Sequence, residues 1–188
     1  MQHLPLSIFI WLFAPAMVYA DVLHDLAEKH SFAGRFTQRV ISPEATVLET
    51  ATGQFRLLRP DYFWWEIESP ERQLLIAVGD TLTQIDWDLE VVVEREITNE
   101  TRSSLHWLLA PRSELESAFE ITLSDAEALL TPVGEGTGVL SIGISRVNSE
   151  AWTLRITDLG RQVLEFSLLE SPELSAEVSA FDVPETAF

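Results

Sequence analysis

Cysteine is absent from this chain of 188 residues. That excludes disulfides, thiolate metal centres, a cysteine nucleophile and a lipidated cysteine. Basic residues are scarce, with 12 Lys and Arg against 30 Asp and Glu, for a formal net charge of −18. Lys29 is the sole lysine. A nucleic-acid binder needs a basic footprint, so nucleic acid is not expected as a partner. Recognisable catalytic motifs are missing too. His24, His30 and His106 stand in neither a Gly-x-Ser-x-Gly nor a His-Glu-x-x-His context, so they read as exposed helix histidines. Gly134-Glu135-Gly136-Thr137-Gly138 has no lysine and opens no helix, which makes it a hairpin loop and not a phosphate cradle. Asp86, Asp88 and Glu90 alternate, but Asp86-Trp87-Asp88 reads as a turn between strands, and three oxygens are too few for calcium. Glu66 and Glu68 share a strand face, yet among so many acids the pairing carries no information about a glycosidase. No cofactor or enzymatic activity is expected.

What is present is a composition of 46% hydrophobic and 22% charged residues, which suits a folded globular chain. The length fits one domain with a real core. From Leu4 to Val18 the sequence is apolar apart from Ser7, which is short for a membrane span. It ends in Val18-Tyr19-Ala20, a small-x-small pattern. Residues 1–20 are therefore expected to be a signal peptide cut after Ala20, with an uncleaved anchor as the alternative, and residues 21–188 to be a single domain. An exported chain without cysteine fits a bacterial periplasm.

Asp21 can cap a helix in which Val22, Leu23 and Leu26 share a face, fading near His30-Ser31. The period then changes to two. Strands are expected over Phe32 to Gln38, Gly53 to Arg59, Tyr62 to Ser69, Gln73 to Val78, Thr81 to Asp86 and Leu89 to Ile97, separated by Pro43, Pro60, Pro70 and Gly79-Asp80. Asn99 or Thr101 can cap a short helix in which Leu105, Leu108 and Leu109 share a face, stopped by Pro111. A further helical turn is expected over Arg112 to Ser117. Strands resume over Phe119–Leu123, Ala126–Val133, Val139–Val147, Trp152–Asp158, Val163–Glu170 and Leu174–Phe181. About a dozen antiparallel strands in one meander should curl, and the helices should cover the concave face or plug its opening.

Arg59 has the strand parity of Phe55 and Leu57. A guanidinium on an apolar face is costly unless it finds acceptors. Two readings fit: Arg59 snorkels to water at the strand end before Pro60, or it crosses an interior and donates to acceptors such as helix carbonyls. Tyr62-Phe63-Trp64-Trp65 puts bulky rings on both faces of one strand. That fits a strand packed on both sides, or a lined pocket.

Phe32-Ala33-Gly34-Arg35-Phe36-Thr37-Gln38, Gly53-Gln54-Phe55, Arg59-Pro60-x-x-Phe63-x-Trp65-Glu66, Pro70, Gln73, Gly79-Asp80-x-Leu82 and Asp86-x-Asp88-Leu89-Glu90 together resemble the periplasmic lipoprotein carrier family, LolA. Phe181-x-Val183-Pro184 resembles the last strand of that family. The likeness implies a mainly β fold, an open, unclosed antiparallel β-barrel of about eleven strands with a lid of about three short helices. It implies an apolar cavity for acyl chains and a lid held shut by the arginine before the proline, here Arg59. Phe36, Phe55, Leu57, Phe63, Trp65, Leu105, Leu108 and Leu109 are the expected cavity lining. The implied partners are an acylated lipoprotein or other lipid cargo, an inner-membrane release complex or lipid exporter, and an outer-membrane receptor. The alternative is an accessory or sensor module that docks a membrane lipid exporter without carrying cargo.

Overall fold

The computed structural model describes residues 21–97, 107, 110–124, 126–134, 136–174 and 176–184. A short helix, α1 (Val22–Ala27), leads into a run of antiparallel strands: β1 (Ser31–Ile41), β2 (Val47–Leu58), β3 (Tyr62–Ser69), β4 (Gln73–Val78), β5 (Thr81–Asp86) and β6 (Val91–Glu96). A second helix, α2 (Arg112–Ala118), introduces β7 (Phe119–Leu123), β8 (Glu127–Pro132), β9 (Val139–Arg146), β10 (Ala151–Asp158) and β11 (Val163–Glu170). All 11 strands form one sheet in the order β6-β5-β4-β3-β2-β1-β11-β10-β9-β8-β7. Within β1–β6 and within β7–β11 neighbours in sequence are neighbours in space, and β1 joins β11 to bring the two halves of the chain together. Among the described residues β6 and β7 are not bonded to each other, so the barrel stays open between them.

Alternation along the strands creates two faces. Phe32 and Phe36 of β1, Phe55 and Leu57 of β2, Phe63 and Trp65 of β3, and Phe166 and Leu168 of β11 point to the concave side. There they join Trp152, Leu154 and Ile156 of β10 in one apolar cluster. Gly53 faces Phe36 across the β1–β2 pair. A Cβ at Gly53 would lie 1.8 Å from the Glu66 carbonyl oxygen and 2.9 Å from the Phe36 ring, so only glycine permits this approach.

A second cluster lies on the convex face, where Trp64, Leu74, Ile76 and Ile85 are covered by Phe181. Beside it the Arg56 guanidinium stacks on Trp64 at 4.0 Å, and Arg72 stacks on Trp87 at 4.0 Å. Arg72 also donates to Glu66 Oε1 from Nε and Nη2, at 2.8 and 2.7 Å. Both faces of β3 are therefore packed, and its run of aromatic residues serves two clusters at once.

One expectation needs correction. Leu174–Phe181 is not a strand; its end, Val178–Phe181, is a 3-10 helix, and Asp182 to Pro184 continue without regular structure. β11 already has β1 on one side and β10 on the other, so the segment after it cannot pair beside the strand it leaves. It crosses the convex face and buries Phe181 there instead. Phe181-x-Val183-Pro184, likened to a last strand, likewise forms no strand here. Asp86-Trp87-Asp88 is the turn that the sequence suggests: Asp86 ends β5 and accepts from the Leu89 amide at 3.0 Å, closing the turn before β6. Of the lid helices, α1 and α2 are present, and the helix expected between Asn99 and Leu109 lies outside the described residues apart from Trp107.

Candidate functional site: a helix seated in the concave face

α1 has 6 residues, too few to persist alone in water. It is held from two sides. Asp21 caps its first turn, accepting from the Leu23 and His24 amides at 3.0 and 3.2 Å. Val22, Leu23 and Leu26 are 2%, 1% and 5% exposed, inserted into the concave cluster. At about 1.5–3 kcal/mol per buried aliphatic side chain, this seating is worth roughly 5–9 kcal/mol before the ordering entropy of the helix is deducted.

Its polar side is tied to the rim of the sheet at several points. Arg59, just past the end of β2, donates from Nε to the Lys29 carbonyl at 3.1 Å and from Nη2 to the Leu26 carbonyl at 3.3 Å. The Arg59 amide donates to the His30 carbonyl at 2.9 Å. Carbonyls at a helix end lack intrahelical partners, and a cation there also meets the favourable end of the helix dipole. Burial pulls the Arg59 guanidinium below its ordinary pKa, but an arginine stays charged at neutral pH. Of the two readings of Arg59, the structure takes the one in which it donates to helix carbonyls.

Three further cations hold the same helix. Lys29 Nζ meets Glu170 Oε2 at 2.7 Å, Arg146 of β9 pairs with Asp25, and Arg112 of α2 pairs with Asp21. Burial pushes the Asp21 carboxyl up, but the Arg112 guanidinium and the His24 and Leu23 amides outweigh it and hold the group below the usual carboxylate value. Arg112 is raised in turn by its hydrogen bonds to Glu116 and Asp21. Sequence reasoning does not single out Arg112 or Arg146. The one available signal is that Asp21 and Asp25 stand one helical turn apart, on a common side of α1.

Beneath α1 the expected lining residues meet. Trp65 stacks on Phe36 at 3.9 Å between ring centroids and on Phe55 and Phe63 at 5.9 Å each, and takes Phe166 edge-on at 5.4 Å. Leu57 belongs to the same cluster, whereas Leu105, Leu108 and Leu109 lie outside the described residues. A recess of about 160 Å³ lies against Trp65, lined by Gln38, Ile67, Gln73, Leu74, Leu75 and Gln84. A larger groove of about 480 Å³ is lined by Phe36, Gly53, Trp152 and Leu168 together with polar residues such as Arg35, Glu68 and Ser167, within the ~300–1,000 Å³ of ordinary ligand pockets.

An uncurled edge-to-edge seam, an apolar concave face and a helix seated in it, tied down by an arginine on its last carbonyls, define a half-barrel with a helical plug. The chain belongs to the LolA family: residues 27–164 match the family model described as outer membrane lipoprotein carrier protein LolA. It is 34% identical over 168 residues to the outer-membrane lipoprotein carrier protein of Cupriavidus pinatubonensis, covering 84% of this chain and 79% of that protein. Its likeness to the protein of the same description from Cupriavidus necator is 34% over 168 residues, covering 84% and 80%. For the one from Bordetella avium it is 31% over 129 residues, covering 65% and 62%.

Proposed function

We propose that this protein is a periplasmic carrier. In this reading it takes the acyl chains of a lipoprotein, or of another lipid, into its concave face at the inner membrane and gives them up toward the outer membrane. The observation that carries the reading is that α1 buries Val22, Leu23 and Leu26 in the same apolar face that an acyl chain would occupy, while Arg59 holds the helix there. Plug and cargo compete for one seat.

The magnitudes suit a shuttle. A buried methylene is worth about 0.8 kcal/mol, so a sixteen-carbon chain represents roughly 12 kcal/mol in a bilayer. A carrier has to match most of that and exceed none of it by much, or release stalls. Refilling the interior with α1 contributes several kcal/mol toward release. The conformation with α1 seated is then the empty form, and loading requires the helix to leave. No covalent step is needed. Residues 1–20 serve as the export signal, and cleavage after Ala20 leaves Asp21 as the first residue of a single mature domain. The donor is an inner-membrane release complex or lipid exporter, and the acceptor an outer-membrane receptor.

The test is to incubate the mature chain with inner-membrane vesicles carrying a labelled acylated lipoprotein under energised release. A soluble one-to-one complex is expected, and native mass spectrometry of protein taken from the periplasm should find acyl lipid bound. Lipoprotein that stays with the vesicles, together with protein that carries no lipid, overturns the reading.

A further inference from the structure

Among the described residues, one buried polar side-chain atom of the concave interior has no hydrogen-bond partner. Trp152 of β10 is 2% exposed, and its indole Nε1 is the buried side-chain nitrogen or oxygen that finds no hydrogen-bond acceptor among the described residues. A donor stranded in this way carries the desolvation cost of a lost hydrogen bond. The ring is otherwise well placed. It stands opposite Leu168 on β11 and Arg146 on β9, meets the Phe32 ring edge-on at 6.4 Å, and has the Arg146 guanidinium 5.4 Å from its centre. The same Arg146 pairs with Asp25 of α1, and α1 packs against β8 and β9. Trp152 therefore lies beside the seat of the plug, in the cluster that Val22, Leu23 and Leu26 cover.

From this we infer that Trp152 is a binding residue for the cargo, and that its indole N–H donates to an ester or amide carbonyl of an acylated ligand once α1 has left. The inference rests on the carrier reading. The chemistry of the position narrows the acceptor. The cluster around the ring is aliphatic and aromatic apart from the Arg146 guanidinium over it, so the incoming group has to travel with apolar chains. A single neutral donor satisfies one carbonyl lone pair. It falls short of a carboxylate or phosphate, which needs several donors or a cation to leave water. In the seated form Arg146 is engaged with Asp25 and Lys29 with Glu170; when α1 leaves, it takes Asp25 with it and releases Arg146 to meet a charged headgroup, while the indole N–H takes the neutral carbonyl. The carbonyl that joins a fatty tail to glycerol or to an amine fits: it is isolated, uncharged and attached to the chain that the interior would bury. The orphan donor then has a cost in the empty form and a partner in the loaded one. This favours acyl esters and amides over plain hydrocarbon chains of the same length.

The experiment compares two lipids that differ at that group. Dipalmitoylglycerol carries ester carbonyls, and dihexadecylglycerol has ethers in their place. Each is offered in phosphatidylcholine vesicles to the mature protein and to Trp152→Phe, which keeps a ring and loses the N–H. The parent is expected to take up the ester about tenfold better than the ether, and Trp152→Phe to reduce that preference to near unity. In the parent, the Trp152 indole N–H resonance, assigned through its proximity to the Phe32 ring, should move downfield with the ester and stay in place with the ether. This second readout uses the parent alone and stands even if the variant folds poorly. Equal uptake of both lipids with an unmoved indole resonance overturns the inference and leaves the carrier reading intact. Uptake of neither lipid overturns both.

Discussion

The Arg59 guanidinium stands 3.3 Å from the Leu26 carbonyl, across a sequence separation of 33 residues, and so ties the end of β2 to the last turn of α1. The contact joins a permanent charge to backbone acceptors, which no side-chain substitution on α1 can remove. It therefore holds the helix in place independently of the residues that face the interior.

Replacing Arg59 with leucine removes at least two charge-assisted hydrogen bonds, each worth about 1.5–3 kcal/mol, and leaves the Leu26 carbonyl only its backbone partner, the Lys29 amide at 3.3 Å. The seated state of α1 should lose at least tenfold in population relative to the open one. In the empty protein, amide exchange in α1 should rise by that factor while the sheet amides stay protected. Cargo should be retained, with slower hand-over to an acceptor, because the competing helix is weaker. Equal transfer rates for variant and parent would contradict this role of Arg59.

Leu23 is 1% exposed and belongs to the plug, whereas Leu154 is 2% exposed and belongs to the sheet. Truncating either to alanine deletes the same atoms, at a cost of about 2–5 kcal/mol where the surroundings stay in place. The consequences should differ. Leu154→Ala should lower Tm by several degrees, as a loss from the cooperative core. Leu23→Ala should leave Tm nearly unchanged, because a terminal helix can undock as a local unit. It should instead raise the affinity for a fluorescent fatty-acyl probe by about tenfold, the helix having become a poorer competitor. Calorimetry and probe titration on the two variants check the contrast.

Asp21 sets an acid limit on the seating of α1. Its carboxyl lies below the ordinary value in the folded chain, through Arg112 and two amides that outweigh its burial. A folded value below the unfolded one makes the ionised group stabilising. That contribution is complete above about pH 4, the unfolded value, and is lost as pH falls through the lower folded value. Protection factors in α1, corrected for intrinsic exchange, should therefore be flat from pH 7 to about pH 5 and fall in stronger acid. Asp21→Asn keeps a capping oxygen but not the charge. It should show weaker protection at neutral pH and a shallower loss on acidification. An identical acid profile in both proteins would show that the Arg112 pair does not hold the helix.

Much of the architecture was legible because strand parity and turn residues agree. Phe55, Leu57, Phe63 and Trp65 face one way by alternation alone, and Pro60, Pro70 and Gly79-Asp80 bound the strands that carry them. The beginning of β2 was not legible, since Val47, Leu48, Glu49 and Thr50 are all exposed and show no alternation of polarity. Leu174, Ala176, Val178 and Ala180 repeat with a period of two, yet the chain there leaves the sheet and lies across its outer face, because the neighbouring edges are already taken. At the site, parity established that Arg59 required acceptors, and the geometry identified them. The pairs Asp21–Arg112 and Asp25–Arg146 join residues 91 and 121 positions apart, and nothing local distinguishes these arginines from others on a strongly acidic chain. Trp152 was hidden for a different reason: an inward aromatic on a strand reads as ordinary packing until its nitrogen is seen to lack a partner.

In a sealed β-barrel, strand number and stagger fix the girth, and widening it would tear backbone hydrogen bonds. Here the seam between β6 and β7 leaves the circumference free to vary. Spreading the two halves apart at that seam would cost side-chain contacts while every ladder, including the one joining β1 to β11, stays whole. A wall of this kind does not write the bulk of what it encloses into its own diameter.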